Sequence, residues 1–265
     1  MISISELSNM HNYLSKDILY LFGKKIWEYD IKQANINALR SMNRISQEQY
    51  QYLSTAPKME REIVVGNMIK VDKTIQESIY EGIRLAKINF LDKNTIQAHE
   101  VLRIANDSIY VISPVEKYNK VININGYNMT FVLKNVYTSY MNLNNVLFFY
   151  KNEYDNWDID IKGIGKERLS LVEPFITFLC NLMQIYDNAG QVTALDYFNK
   201  FYNDYINKNL DISYYREFNA FTSYRFITPN CQFMIQNMRD SGKDRINIDY
   251  NLMILRNIYS YLMAG

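Results

Sequence analysis

The stretch Val101–Ser113, VLRIANDSIYVIS, constrains this chain most. Two short runs of β-branched and aromatic residues, Val101-Leu102-Arg103-Ile104 and Ile109-Tyr110-Val111-Ile112, flank a polar Asn106-Asp107-Ser108. That is a β-hairpin pattern, and a tight turn fixes the height of the carboxylate it carries. Asn, Asp and Ser are default turn residues, so the hairpin alone is equally compatible with a purely structural Asp107. A second strand-like run upstream, Lys25 to Ile31, carries Asp30 near its end. If the two strands are neighbours in one antiparallel sheet, both carboxylates emerge at the same edge and can share a metal site. Mg²⁺ takes hard oxygen ligands, commonly one or two carboxylates plus substrate phosphates. Two such ions can clamp the attacking and leaving oxygens of a phosphoryl transfer.

Around these strands the periodicities predict an α+β fold. Leu7, Met10, Leu14, Ile18 and Leu21 recur at three- and four-residue spacings and predict a helix over 4–23. After Asp30, residues 33–42 read as a helix packed behind the strand. Ser46-Gln47-Glu48-Gln49 is a capping-box start for a short helix that Pro57 ends. Helical patterns follow over 58–68 and 72–91, the latter with Ile75, Ile79, Ile83, Ala86 and Phe90 near one face. Strand-like runs lie at 121–125, 129–134, 146–150 and 159–161. From about residue 169 the pattern is helical, over 169–188, 192–208, around 213–220 and 247–263. An antiparallel sheet backed by helices over 1–165 and a mainly helical region over 166–265 is the expected division.

Composition narrows the function classes. A formal net charge of +1 provides no global field for nucleic acid, so any such binding must use a local basic groove. Cys180, Cys231, His11 and His99 are isolated, which argues against a His/Cys zinc site or a disulfide framework. No signal peptide is visible at the start, and no run of about eighteen apolar residues predicts a membrane span. The expected location is therefore cytoplasmic. Abundant Asn, Ile, Lys and Tyr (23 Tyr) suggest AT-rich coding sequence, as in many phages and low-GC bacteria. A phage-encoded chain would act in the host cytoplasm.

The order of these elements resembles the palm and thumb of family-B DNA polymerases. That family's first palm motif has the form D-x-x-S-L-Y-P, and Tyr29-Asp30-Ile31-Lys32-Gln33-Ala34-Asn35-Ile36 stands in its place. Its D-T-D-S motif is matched by Ala105-Asn106-Asp107-Ser108, with Ala105 replacing the first Asp. A fingers motif, K-x-x-x-N-S-x-Y-G, can be laid on Lys58 through Gly66, keeping Lys58 and Gly66 but departing at Glu62, Ile63 and Val65. Asp160-Ile161-Lys162-Gly163 and Arg168 resemble a K-K-G-like strand that touches the primer backbone. The resemblance covers roughly residues 24–220.

The resemblance implies a template-directed nucleotidyltransferase, a DNA polymerase of reduced form with no exonuclease and a small fingers segment near 44–70. It implies Asp30 and Asp107 as catalytic ligands of Mg²⁺ or Mn²⁺. It places Ile31, Asn35, Lys58 and Arg61 at the nucleotide, and Ser108, Lys162 and Arg168 at the nucleic acid. The implied partners are primer–template nucleic acid, nucleoside triphosphates and another polymerase subunit. Asn35 stands where the family carries a tyrosine that excludes a ribose 2′-hydroxyl, which would open the site to ribonucleotides. Each assignment has a plainer counterpart. Lys58 and Arg61 are equally readable as solvated residues of a surface helix, Asn35 as a surface Asn, and Lys162 with Arg168 as members of a charged turn. The aromatic run 214–226 offers stacking platforms or, alternatively, core between helices. Against the enzyme stands a catalytically inactive palm–thumb scaffold, or one piece of a split polymerase, because the fingers motif is eroded. A chance match within an unrelated α+β protein is the third alternative.

Overall fold

The computed structural model describes residues 6–7, 12–112, 118–153, 156–163, 173–215 and 245–265. Two compact units form, one from Met1–Asp17 with Lys25–Val136 and the other from Ile18–Lys24 with Tyr137–Gly265. The α+β class expected from the periodicities is what the chain adopts, with antiparallel sheets, helices against them and a helical C-terminal region. The division, however, falls near residue 136 and not 165, because four strands belong with the C-terminal helices.

In the first unit, strands β1 (Asn12–Leu14), β3 (Ile26–Ile31), β4 (Val101–Ala105), β5 (Ser108–Val111), β6 (Val121–Ile124) and β7 (Tyr127–Tyr137) form a sheet in the order β1-β4-β5-β3-β7-β6. Helices α1 (Ala34–Ser41), α2 (Gln47–Thr55), α3 (Lys58–Val71) and α4 (Thr74–Lys93) connect β3 to β4. The capping box read from the sequence is made: Ser46 accepts from the Gln49 N–H, and the Gln49 side chain returns to the Ser46 N–H. Alternation along β3 sends Tyr29 into the helix-covered face, where its ring meets Phe90 and Tyr118 at 5.5 and 5.3 Å between centroids. Glu28 and Asp30 share the opposite face. Helix α4 lies close against α1 because Gly82 has no side chain; a Cβ there would sit 2.8 Å from the Ala38 Cβ.

The helix expected over 4–23 is a correction. Asn12–Leu14 pairs with β4 and β2 (Tyr20–Leu21) pairs with β8 (Ser139–Leu143), both antiparallel. Backbone pairing with two sheet edges outweighs the helical spacing of a few apolar residues in so short a segment. In the second unit β9 (Val146–Glu153) and β10 (Asn156–Lys162) complete a sheet ordered β10-β9-β8-β2. Helix α5 (Glu173–Ile206) kinks at Gly190, whose φ of 81° leaves the helical region, so the two helices read from the sequence meet there. Phe178, Leu182 and Phe198 of α5 join Ile254 and Ile258 of α6 (Arg245–Ala264) and Phe148 of the sheet in one core. Among the described residues no helix is long and apolar enough to cross a membrane.

Candidate functional site

Asp30 and Asp107 meet because β3 and β5 are adjacent and antiparallel. Asp30 stands opposite Ser108 in the register, and the Ile31 N–H donates to the Asp107 carbonyl at 3.0 Å. The hairpin turn is two residues, with Asn106 in the left-handed region at φ 47°, which Asn tolerates better than most residues. Two further bonds hold the turn: Ser108 Oγ donates to the Ala105 carbonyl at 2.8 Å, and Lys87 Nζ of α4 donates to the Asn106 carbonyl at 2.6 Å. Lys87 is buried, and burial pulls its ammonium down to about 8, with the nearby Asp107 charge opposing.

The Asp30 side chain is 23% exposed. Burial raises its pKa, the Asp107 and Glu28 charges raise it further, and the Lys134 ammonium works against them. Lys134 of β7 lies 2.9 Å from Asp30 Oδ2 and 3.4 Å from Glu28 Oε1. Burial lowers the Lys134 pKa, but its bonds and charge partners outweigh that and leave it raised. Glu28 is 1% exposed and also accepts from Tyr110 Oη at 2.8 Å and Asn135 Nδ2 at 2.6 Å.

Both aspartates line a cavity of about 380 Å³ with Ile31, Asn35, Lys58 and Arg61. Six residues singled out from the sequence thus converge from β3, the β4–β5 turn, α1 and α3. Lys58 is highly exposed and stands 3.7 Å from Glu62, while Arg61 Nη1 donates to the Ala56 carbonyl at 3.2 Å. The N-terminal turn of α1 also faces the cavity through Ala34, Asn35 and Ile36, with no side-chain cap and no acidic residue in its first turn. Its N–H groups are therefore suited to an anion. The Ile31 side chain is core, so what it presents to the cavity is backbone. Ser108 is buried with its hydroxyl committed to the turn, and its part is bracing Asp107.

Other assignments fall elsewhere. Lys162 belongs to the second unit and pairs with Asp160 at 2.7 Å, while Asp160 also accepts from Tyr137 Oη. Arg168 and residues 216–226 lie outside the described residues. Of the aromatic run, Tyr215 is core, stacked on Tyr205, and Tyr214 meets Phe201 edge-on. Among the described residues, no group of three or more His, Cys, Asp and Glu side chains is arranged to hold a metal.

The family comparison agrees with the composition about source. A family model described as Bacteriophage PBS1 gene 130 protein matches residues 2–264. The chain belongs to this family. Membership in the gene 130 family supports a phage source, and no curated protein matches the chain. The chemistry must therefore be read from the cleft. Three residues that brace the two aspartates from beside the cavity carry no assignment from the sequence: Glu28 and Lys134 at Asp30, and Lys87 at the turn. Glu28 had a signal, since a carboxylate two positions from Asp30 on a strand shares its face. Lys87 and Lys134 had none, because their places depend on which helix and strand flank the hairpin.

Proposed function

We propose that this chain is a template-directed nucleotidyltransferase of the DNA-polymerase kind, in which Asp30 and Asp107 would hold two Mg²⁺ or Mn²⁺ ions. The observation that carries the reading is convergence: two aspartates from adjacent strands share one cleft with Lys58, Arg61 and the uncapped start of α1. The donor set fits the metal, since two hard carboxylates beside a phosphate-accepting wall match the usual Mg²⁺ environment. When bound, the ions would lower the pKa of a primer 3′-hydroxyl and neutralise charge during in-line attack on a triphosphate.

The remaining work falls to the chain's own groups. The β3–β5 register fixes the two carboxylates relative to each other, and Lys87 holds the turn that carries Asp107. Lys58 and Arg61 would grip triphosphate oxygens, assisted by the α1 N–H groups. Asn35, exposed on the wall, would stand beside the incoming sugar and admit a ribose. Lys162 and Arg168 would touch primer phosphates, contacts that position a duplex without reading its sequence.

A second reading has its own support. Only two short helices, α2 and α3, stand between α1 and α4, and Lys134 already neutralises Asp30. These features favour an inactive scaffold or one subunit of a split polymerase that binds nucleic acid or a partner protein. Primer extension on a labelled primer–template, with Mg²⁺ or Mn²⁺ and with dNTPs and NTPs supplied separately, decides between them. Extension by the wild type that Asp107→Asn abolishes is the expected result. Wild-type binding to the duplex without extension would overturn the enzyme reading and direct attention to a partner subunit.

A further inference from the structure

Lys134 and Glu28 have no part in the chemistry above, yet they sit against its first carboxylate. Lys134 Nζ lies between Asp30 Oδ2 at 2.9 Å and Glu28 Oε1 at 3.4 Å. The two acids differ in freedom. Glu28 is 1% exposed, and Tyr110 Oη and Asn135 Nδ2 fix its carboxylate. Asp30 opens onto the cavity. Lys134 itself is 49% exposed on a flexible stem, so its ammonium can move at small cost.

Resting on the two-carboxylate reading, we propose that Lys134 is an internal counter-ion that occupies Asp30 until a divalent cation displaces it, with Glu28 as the anchor to which it retreats. An ion on Asp30 Oδ2 at a metal–oxygen distance of about 2.1 Å would lie no more than about 5 Å from the ammonium. Repulsion at that range drives the lysine off the carboxylate. A lysine displaced from Asp30 still has Glu28, and that pairing matters because a buried carboxylate left without its cation is strongly destabilising. The strand order explains why one side chain reaches both acids: β3 lies next to β7, and Glu28 and Asp30 share a face. The consequence is a cleft whose metal affinity is held down by the chain itself.

The test is Mn²⁺ titration of the full chain, read by loss of the electron paramagnetic resonance signal of free Mn²⁺. Lys134→Met should bind Mn²⁺ about two- to fivefold more tightly than wild type, the scale of one competing charge at a half-exposed site. Lys134→Arg should bind no more tightly than wild type, and Asp30→Asn should lose the binding. If Lys134→Met unfolds the chain, the double variant Glu28→Gln, Lys134→Met removes both charges of the anchor pair, and the same tightening is expected. Equal or weaker binding by the folded lysine variant, with Asp30-dependent binding in the wild type, overturns the counter-ion role alone. Absence of Mn²⁺ binding in wild type and variants alike overturns the metal reading and this inference with it.

Discussion

Gly82→Ala tests whether the close approach of α4 to α1 is what sets the cleft wall. Glycine inside a helix costs roughly 0.8–1 kcal/mol relative to alanine, so propensity alone favours the substitution. Packing opposes it. A Cβ at Gly82 would lie 2.8 Å from the Ala38 Cβ, 2.9 Å from its Cα and 3.2 Å from its carbonyl oxygen. Two of those atoms are backbone, and carbon contacts prefer about 3.5–4.0 Å, so the helices must part by roughly 0.7 Å. Overpacking of this kind costs about 1–3 kcal/mol, so a net effect between about zero and 2 kcal/mol of destabilisation is expected after the propensity gain. Gly66→Ala in α3 is the control, because nothing lies within 4 Å of its would-be Cβ. It should stabilise by roughly 0.5–1 kcal/mol. Urea unfolding followed by Trp27 fluorescence in a Trp157→Phe background reports on the first unit. A Gly82→Ala chain stabilised as much as Gly66→Ala would refute the argument that the interhelical distance is fixed by this glycine.

Two further predictions concern charge. Lys87 is pulled from the ordinary 10.5 to about 8, so between those values the unfolded chain holds more protons than the folded one. Stability should therefore rise with pH from about 8 towards 10, by roughly 2–3 kcal/mol at most, and Lys87→Met should remove that slope in thermal melts. The window closes near 10, where the unfolded chain loses protons that Tyr29 and Lys134, both with raised pKa values, still hold in the fold, which lowers stability as pH rises. Asp30 has a raised pKa, chiefly from burial, so its ionised form costs the fold stability at neutral pH. Asp30→Asn should raise the unfolding free energy slightly, by under about 1 kcal/mol after solvent screening, while losing Mn²⁺ binding; a clear drop in stability would contradict this.

Legibility from sequence followed the range of the interactions involved. The capping box at Ser46, the helices from Gln33 to Leu91 and the Asn106-Asp107 turn are local patterns, and each forms where the residues indicate. The strands within 12–21 leave no local signal because their partners, β4 and β8, are distant in sequence. β8 carries no alternation that would announce a strand: Ser139 and Asn142 are buried alongside Tyr140 and Met141. The same limit applies in the cleft. Asp30 and Asp107 were found by motif and turn, whereas Lys87 and Lys134 became visible only once α4 and β7 were placed beside them.

The strand order that joins the two aspartates also delivers the lysine that restrains one of them. β3 has β5 on one side, which brings Asp107 across, and β7 on the other, which brings Lys134. Both contacts follow from the central place of β3 in the sheet. Charge balance is therefore built into the scaffold: three carboxylates at Glu28, Asp30 and Asp107 are answered by Lys134 on β7 and Lys87 on α4. In the two-carboxylate reading Asp30 and Asp107 would supply only part of a divalent cation's oxygen shell, so tight binding would need a further anion. In the nucleotidyltransferase proposed above, triphosphate oxygens gathered by Lys58, Arg61 and the α1 N–H groups would complete that coordination. Metal and nucleotide should then bind cooperatively, each raising the affinity of the other by the same factor.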